Sequence, residues 1–425
     1  MDLKELRLKE NIRMTTMDTS YLNSQFFVSL EGKQWRVEEA VYLLMKSISQ
    51  NHSMNDFIEI YKEKTGKDIS EKSIDYIIES FLIKRGLLLG TYDTVKKDYL
   101  NVKSKFLWGK VPLIKKKYTG FLKIFGFLYY KPCVILCLII TICAMIYSTI
   151  SLCTSGMDIG DFFRFSISDS FETLIIFFFA ALFHEFGHMS YLIKNNISSG
   201  DIGFAFYYIS PVFYSDVSSA WELPRKKRQI LDIGGIYFQS FFLSIFGYLG
   251  IIFDRKGFIL SFVIGIIYLY NNLNPFLKMD GYWFVSDHMG IPNLSKQMID
   301  YWKNFILRLF KMPNDETLKN NIKQSEYKKF VVYSWLAIGY MMFFSIGLIM
   351  LEYKMCNQLY KDIKIASQNV FYWGSILSFL KKDYMLILTF FLLLRVFITA
   401  FRKLYSVIIF ICKILKKTAI KSLGG

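Results

Sequence analysis

The run from Leu174 to Ile193 is apolar almost throughout, yet it carries Phe183-His184-Glu185-Phe186-Gly187-His188 within it. About 20 such residues cross a bilayer as a helix, and a lipid-embedded backbone must satisfy its polar groups internally. A helix is therefore expected. Residues four apart share a helix face, so the imidazoles of His184 and His188 can reach one metal ion, with Glu185 beside it. In this HExxH arrangement neutral imidazoles bind Zn²⁺ and the carboxylate serves as general base toward water. Ionisable side chains inside lipid are costly and usually functional. The chain has only four histidines, and two stand here. The bland alternative is a pair of hydrogen-bonded helix histidines next to a helical glutamate.

The same logic along the chain gives about six membrane spans: Pro132 to Leu152, Phe171 to Ile193, Ile230 to Phe253, Phe258 to Leu277, Phe330 to Leu351 and Tyr384 to Phe401. The expected class is a polytopic α-helical membrane protein in the cell membrane. A formal net charge of +17 over 425 residues would suggest nucleic acid in a soluble protein. Here the lysines flank apolar segments, where they orient the chain and meet anionic lipid, so the bilayer is the expected partner and nucleic acid is not. Asp158, Asp161, Asp169 and Glu172 mark the outer side, and Arg225-Lys226-Lys227-Arg228 the inner, which puts both termini in the cytoplasm. Only Lys354, Lys361 and Lys364 go against this orientation. Six cysteines without a CxxC pair indicate neither a disulfide framework nor a thiolate zinc site; a single Cys153 to Cys356 bridge stays open. Met1 to Thr19 is charged and has no apolar core, unlike a signal peptide.

Before the first span, Phe26 to Leu30 and Gln34 to Val37 read as strands around a tight turn. Helices are expected over Val37 to Ser49, Met54 to Lys64 and Ser70 to Lys84, the last with Ser70 as N-cap. Leu87 to Leu89 reads as a short returning strand, and Lys96 to Lys123 as a basic linker on the membrane surface. The aromatic stretch from Gly203 to Tyr214 is too short to cross as a helix, so it reads as a re-entrant or interfacial hairpin. A catalytic zinc needs a third protein ligand with one position open. Asp280, in Asn274-Pro275-Phe276-Leu277-Lys278-Met279-Asp280-Gly281 at the end of the fourth span, is the candidate, with an interfacial carboxylate facing water as the alternative. His288 is a further imidazole that could supplement it, or a plain interfacial histidine, and His52 reads as a surface residue.

Two resemblances follow from these stretches. GKQWRVEEAVYLLM and DISEKSIDYIIESFLIKRGLL resemble the PqqD-like peptide-recognition domains of ribosomal-peptide maturation systems. In that family a leader peptide adds as a strand to the sheet beside the third helix, which implicates the Phe26 to Leu30 hairpin region and the Ser70 to Lys84 helix. An ordinary winged helix, DNA-binding or structural, is the competing reading. HEFGH followed by NPFLKMDG resembles the site-2 protease family of intramembrane zinc metalloproteases, although four residues separate the Asn-Pro and Asp-Gly pairs here. The resemblance implies His184, His188 and Asp280 as zinc ligands, Glu185 as general base, and Asn274 as a group holding the substrate backbone or the developing oxyanion. FYSDVSSAWELPRKKRQIL and DGYWFVSDHMGIPNL look like the subgroup found beside bacterial peptide-export systems, with no role evident for Tyr214, Asp216 and Trp221.

The expected molecule is a tail 1–20, a PqqD-like winged-helix domain 21–92, a basic linker 93–130, a site-2 protease-like core 131–294, a cytoplasmic connector 295–329, and C-terminal helices with a basic tail 330–425. The expected function is leader removal from a small ribosomal precursor peptide by a membrane zinc endopeptidase, with a peptide exporter or peptide-modifying enzyme as further partner. Two alternatives stand beside it: a non-proteolytic export or immunity factor, and a regulatory protease acting on a membrane-tethered regulator.

Overall fold

The computed structural model describes residues 3–30, 33–92, 107–154, 166–207, 210–310, 313 and 317–368. The expected sixth span, the basic tail, Asp158, Asp161 and the lysines between 96 and 105 lie outside the described residues, as do the side chains of Cys153 and Cys356. The chain divides into two compact units, Met1–Pro292 and Asn293–Gly425.

The first unit opens with an antiparallel sheet of β1 (Arg13–Met17), β2 (Gln25–Leu30) and β3 (Lys33–Val37), with β2 in the middle. Strand β1 lies in the stretch read as a tail. Phe26 to Ser29 is thus paired on both sides, by Thr16 to Arg13 and by Val37 to Gln34, and cannot itself accept an added strand. The outer edges of the sheet belong to β1 and β3. Alternation sends Phe26, Val28, Trp35 and Val37 to one face, where they meet α1 (Glu39–Ser49), α2 (Met54–Thr65) and α3 (Glu71–Ile77, continued by a π turn through Ile83). Ser53 and Asp56 form a capping box on α2, and Ser70 caps α3 as expected. The expected returning strand reduces to a single bridge between Leu8 and Leu88.

The stretch read as a linker holds regular structure in its second half. Strand β4 (Leu107–Ile114) joins β5 (Ile202–Tyr207) and β6 (Ser210–Ser215) in a second antiparallel sheet, with β5 central, and Lys116–Tyr129 forms a 3₁₀ segment. The signal was masked by lysines flanking a short apolar stretch. Then come α4 (Lys131–Thr154), α5 (Ile167–Lys194), α6 (Arg225–Ile252), α7 (Lys256–Asn272) and α8 (Asp280–Met289). A capping box of Ser166 and Asp169 starts α5. In the second unit α9 (Leu294–Leu309), α10 (Thr317–Asn321) and α11 (Gln324–Gln368) follow, with Trp302 edge-on to Trp335 at 4.6 Å.

Among the described residues four helices are long and apolar enough to cross a membrane: α4, α5, α6 and the first part of α11, which fits a polytopic helical membrane protein. The fourth expected span is shorter than read. It ends at Asn272, because Pro275 lacks an N–H and pushes Asn274 out of helical geometry, while Asn274 Oδ1 takes the Phe276 N–H at 2.9 Å. Asp280 therefore opens a new helix instead of ending an old one.

Candidate metal centre

The HEFGH segment of α5 lies against α6 at unusually close range. A Cβ on Gly187 would stand 2.2 Å from Gly234 O, and one on Gly235 would stand 2.4 Å from His188 Nε2 and 2.5 Å from His184 Nε2. Only glycines allow this approach. Phe121 and Phe125 of the 3₁₀ segment pack against Phe186, and Tyr129 Oη donates to Gly187 O at 2.6 Å where α5 meets Gly234 of α6. The 3₁₀ segment thus packs on both helices at the motif.

Both imidazoles are buried, at 8% and 7% exposure. His188 Nδ1–H donates to Leu231 O at 2.8 Å, and His184 Nδ1–H donates to Gln239 Oε1 at 3.0 Å. These acceptors favour a proton at Nδ1, so in the neutral imidazole each Nε2 presents its lone pair to the site. The two Nε2 atoms lie 3.1 Å apart, and the Asp280 carboxylate reaches both: Oδ2 is 3.0 Å from His184 Nε2, and Oδ1 is 3.7 Å from His188 Nε2. Three potential ligand groups converge in a buried place, where Asp280 Oδ2 has no hydrogen-bond partner. That arrangement calls for a cation. The separations bracket the ligand-to-ligand edge, about 3.3–3.6 Å, of a tetrahedral site with bonds of about 2.0–2.2 Å. Two imidazoles with a carboxylate suit zinc by donor type, and all their ligand atoms lie within 4.8 Å of one another.

The structure brings His184, His188 and Asp280 together and puts Glu185, the next residue of α5, at their side, where its Oε2 accepts from Ser215 Oγ at 2.6 Å. Asn274 stands in the turn between α7 and α8 with its Oδ1 on Phe276 N–H. His288 is exposed and stacks on Phe284 at 6.3 Å, outside the His-His-Asp group. His52 is in the N-terminal domain. The three residues without an evident role acquire structural ones. Asp216 Oδ1 accepts from the backbone and hydroxyl of Ser218, Trp221 lies under the Arg228 guanidinium at 5.0 Å, and Tyr214 faces the Lys110 ammonium at 5.1 Å.

Gln239, Gly235 and Ser215 are the contributors that the sequence reading passed over. Gln239 had a signal, since it is a polar side chain at 1% exposure in an apolar helix. At the far end of α8, buried Arg228 donates through Nε to Asp287 Oδ1 at 2.8 Å and through Nη1 to Leu223 O at 2.9 Å. Burial pushes the Asp287 carboxyl up, against the opposing pull of that guanidinium.

Comparison with known proteins is sparse. A Bacillus subtilis (strain 168) protein named "Putative peptide zinc metalloprotease protein YydH" is 22% identical over 131 residues, which is 30% of this chain and 52% of that protein. The match therefore spans about half the length of that relative. No family model matches the chain, and no solved structure matches it.

Proposed function

We propose that the chain is a membrane-embedded zinc metalloendopeptidase of site-2 type that removes the leader from a small ribosomally made precursor peptide at the cytoplasmic face of the cell membrane. One observation carries the reading: two buried imidazoles and a carboxylate bring their ligand atoms within 4.8 Å of one another, with Glu185 next in line. The name of the Bacillus subtilis relative points the same way. Zinc in such a site polarises a peptide carbonyl and makes water acidic enough to ionise near neutral pH. His184, His188 and Asp280 would hold it, with Gln239 and the Leu231 carbonyl fixing both imidazoles in the ligating tautomer. Glu185 takes a proton from the attacking water and delivers it to the leaving amine. Asn274 is assigned to the substrate backbone or the developing oxyanion. The peptide must be extended at cleavage, and among the described residues β6 pairs with β5 alone, so its outer edge offers a strand partner beside Glu185. The leader itself would join the N-terminal sheet at β3.

The test is co-expression with a precursor peptide encoded beside the gene, read by mass spectrometry, with metal content measured on the purified protein. Wild type should release the leader. Glu185→Gln should retain zinc and peptide while cleavage falls at least about 100-fold. Processing unchanged in Glu185→Gln would leave a peptide-binding membrane protein and end the enzyme reading.

A further inference from the structure

We infer that Ser215 is the positioning residue of Glu185: its hydroxyl fixes one carboxylate oxygen so that the other faces the water to be activated. The inference rests on the protease reading above and adds a residue to it. Ser215 Oγ donates to Glu185 Oε2 at 2.6 Å, a short charge-assisted bond.

What makes the hydroxyl a fixed reference is its frame. Ser215 is the last residue of β6, in register with Ile202 of β5. The next residue extends the ladder, since Asp216 N–H donates to Asp201 O at 2.9 Å and Gly200 N–H donates to Asp216 O at 3.0 Å. Asp216 Oδ1 then takes the Ser218 N–H at 3.2 Å and the Ser218 hydroxyl at 2.5 Å, locking the turn that follows. On the other side, alternation puts Phe213 and Ser215 on one face of β6. Phe213 packs edge-on against Phe178 at 5.0 Å, and Phe178 lies two helical turns before Glu185 on the same face of α5. The strand is therefore pinned to α5 by a ring contact and meets the base by a hydrogen bond. A glutamate has three side-chain torsions, and its place in the helix leaves the carboxylate plane undetermined. A donor on a rigid strand end supplies what the helix cannot.

Removing a hydrogen bond to a charged group should slow the chemical step by about 10- to 100-fold. In Ser215→Ala, kcat should fall by that factor with KM and bound zinc unchanged, and Ser215→Thr, which keeps the hydroxyl, should restore most of it. A purely structural serine would instead lower zinc content or raise KM, and the threonine would not rescue. The second readout needs no turnover: the Glu185 carboxylate band, isolated as the infrared difference between wild type and Glu185→Gln, should shift when Ser215→Ala is introduced into both. A band that stays in place, or wild-type kcat in Ser215→Ala, overturns the inference. Absence of cleavage by wild type with a shifting band would instead overturn the protease reading and leave the Ser215 contact standing.

Discussion

At the scale of single residues, the candidate metal centre depends on an absence. Gly235 faces both imidazoles, and a methyl there would sit within 2.5 Å of each Nε2, in the space where their lone pairs meet. Gly235→Ala should therefore cut zinc content at least about tenfold while leaving the helices in place, as read by metal analysis alongside circular dichroism. Unchanged zinc would mean that the lone pairs do not face α6. Gln239→Leu acts more gently. It frees His184 to rotate and to move its proton to Nε2, and the zinc dissociation constant should rise about 10- to 100-fold, measured by competition with a chelator. His184, Glu185 and His188 were legible because a helix turns spacing into proximity. Gly235 was not, because a steric requirement exists only once a second helix is pressed against the first. Ser215 was equally invisible, since nothing along the chain relates a strand end to a glutamate thirty positions earlier.

Among the elements, α8 decides the geometry of the site. It begins at Asp280 and is anchored near its other end by Asp287, so the position of the carboxylate follows the position of the whole helix. The sequence singled out Asp280, which the fold brings to the two imidazoles, but placed it at the tail of the preceding span. Hydropathy continues through Phe276 and Leu277, whereas helicity stops at Asn272 for the reasons of backbone chemistry already given. Close packing fixes the junction: a Cβ on Gly281 would stand 2.1 Å from Leu273 O, so the first turn of α8 rests directly on the end of α7. The Arg228 and Asp287 pair is almost dry, with side chains 2% and 12% exposed. Deleting one partner of such a pair leaves an uncompensated buried charge worth about 3–5 kcal/mol. Arg228→Ala should lower the thermal midpoint in detergent markedly and weaken zinc binding with it. Asp287→Asn retains a hydrogen-bond acceptor and should do less harm. Equal midpoints for wild type and Arg228→Ala would show that α8 is held elsewhere.

At the scale of the whole Met1–Pro292 unit, the N-terminal domain is seated on the core as well as joined to it along the chain. Hydropathy could delimit both parts, because each has its own apolar pattern, but their contact is polar and runs between residues about 200 positions apart. Arg13, Ser29 and Gln34 stand side by side across the sheet, on the face opposite the helices. Arg13 and Ser29 donate to Glu222 at 3.1 and 3.0 Å, and Gln34 donates to Ser219 at 3.2 Å. Between β1 and β2, Ser20 donates through its N–H to Gly290 O at 2.9 Å and through its hydroxyl to Met289 O at 2.6 Å, while Arg228 Nη2 donates to Asp18 O at 3.0 Å. The domain thus rests on the turn that follows β6 and caps the end of α8, the helix that bears Asp280. Undocking should separate recognition from cleavage. With Glu222→Ala and Ser20→Ala combined, leader binding to the N-terminal domain should stay within about twofold, while cleavage of the tethered peptide falls at least about tenfold as effective concentration at the site is lost. Amides at the end of α8 should exchange with solvent faster in the same variant, because the Met289 carbonyl loses the Ser20 hydroxyl. If cleavage and exchange both match wild type, the seating is incidental, and the N-terminal domain would serve the proposed function only as a tether.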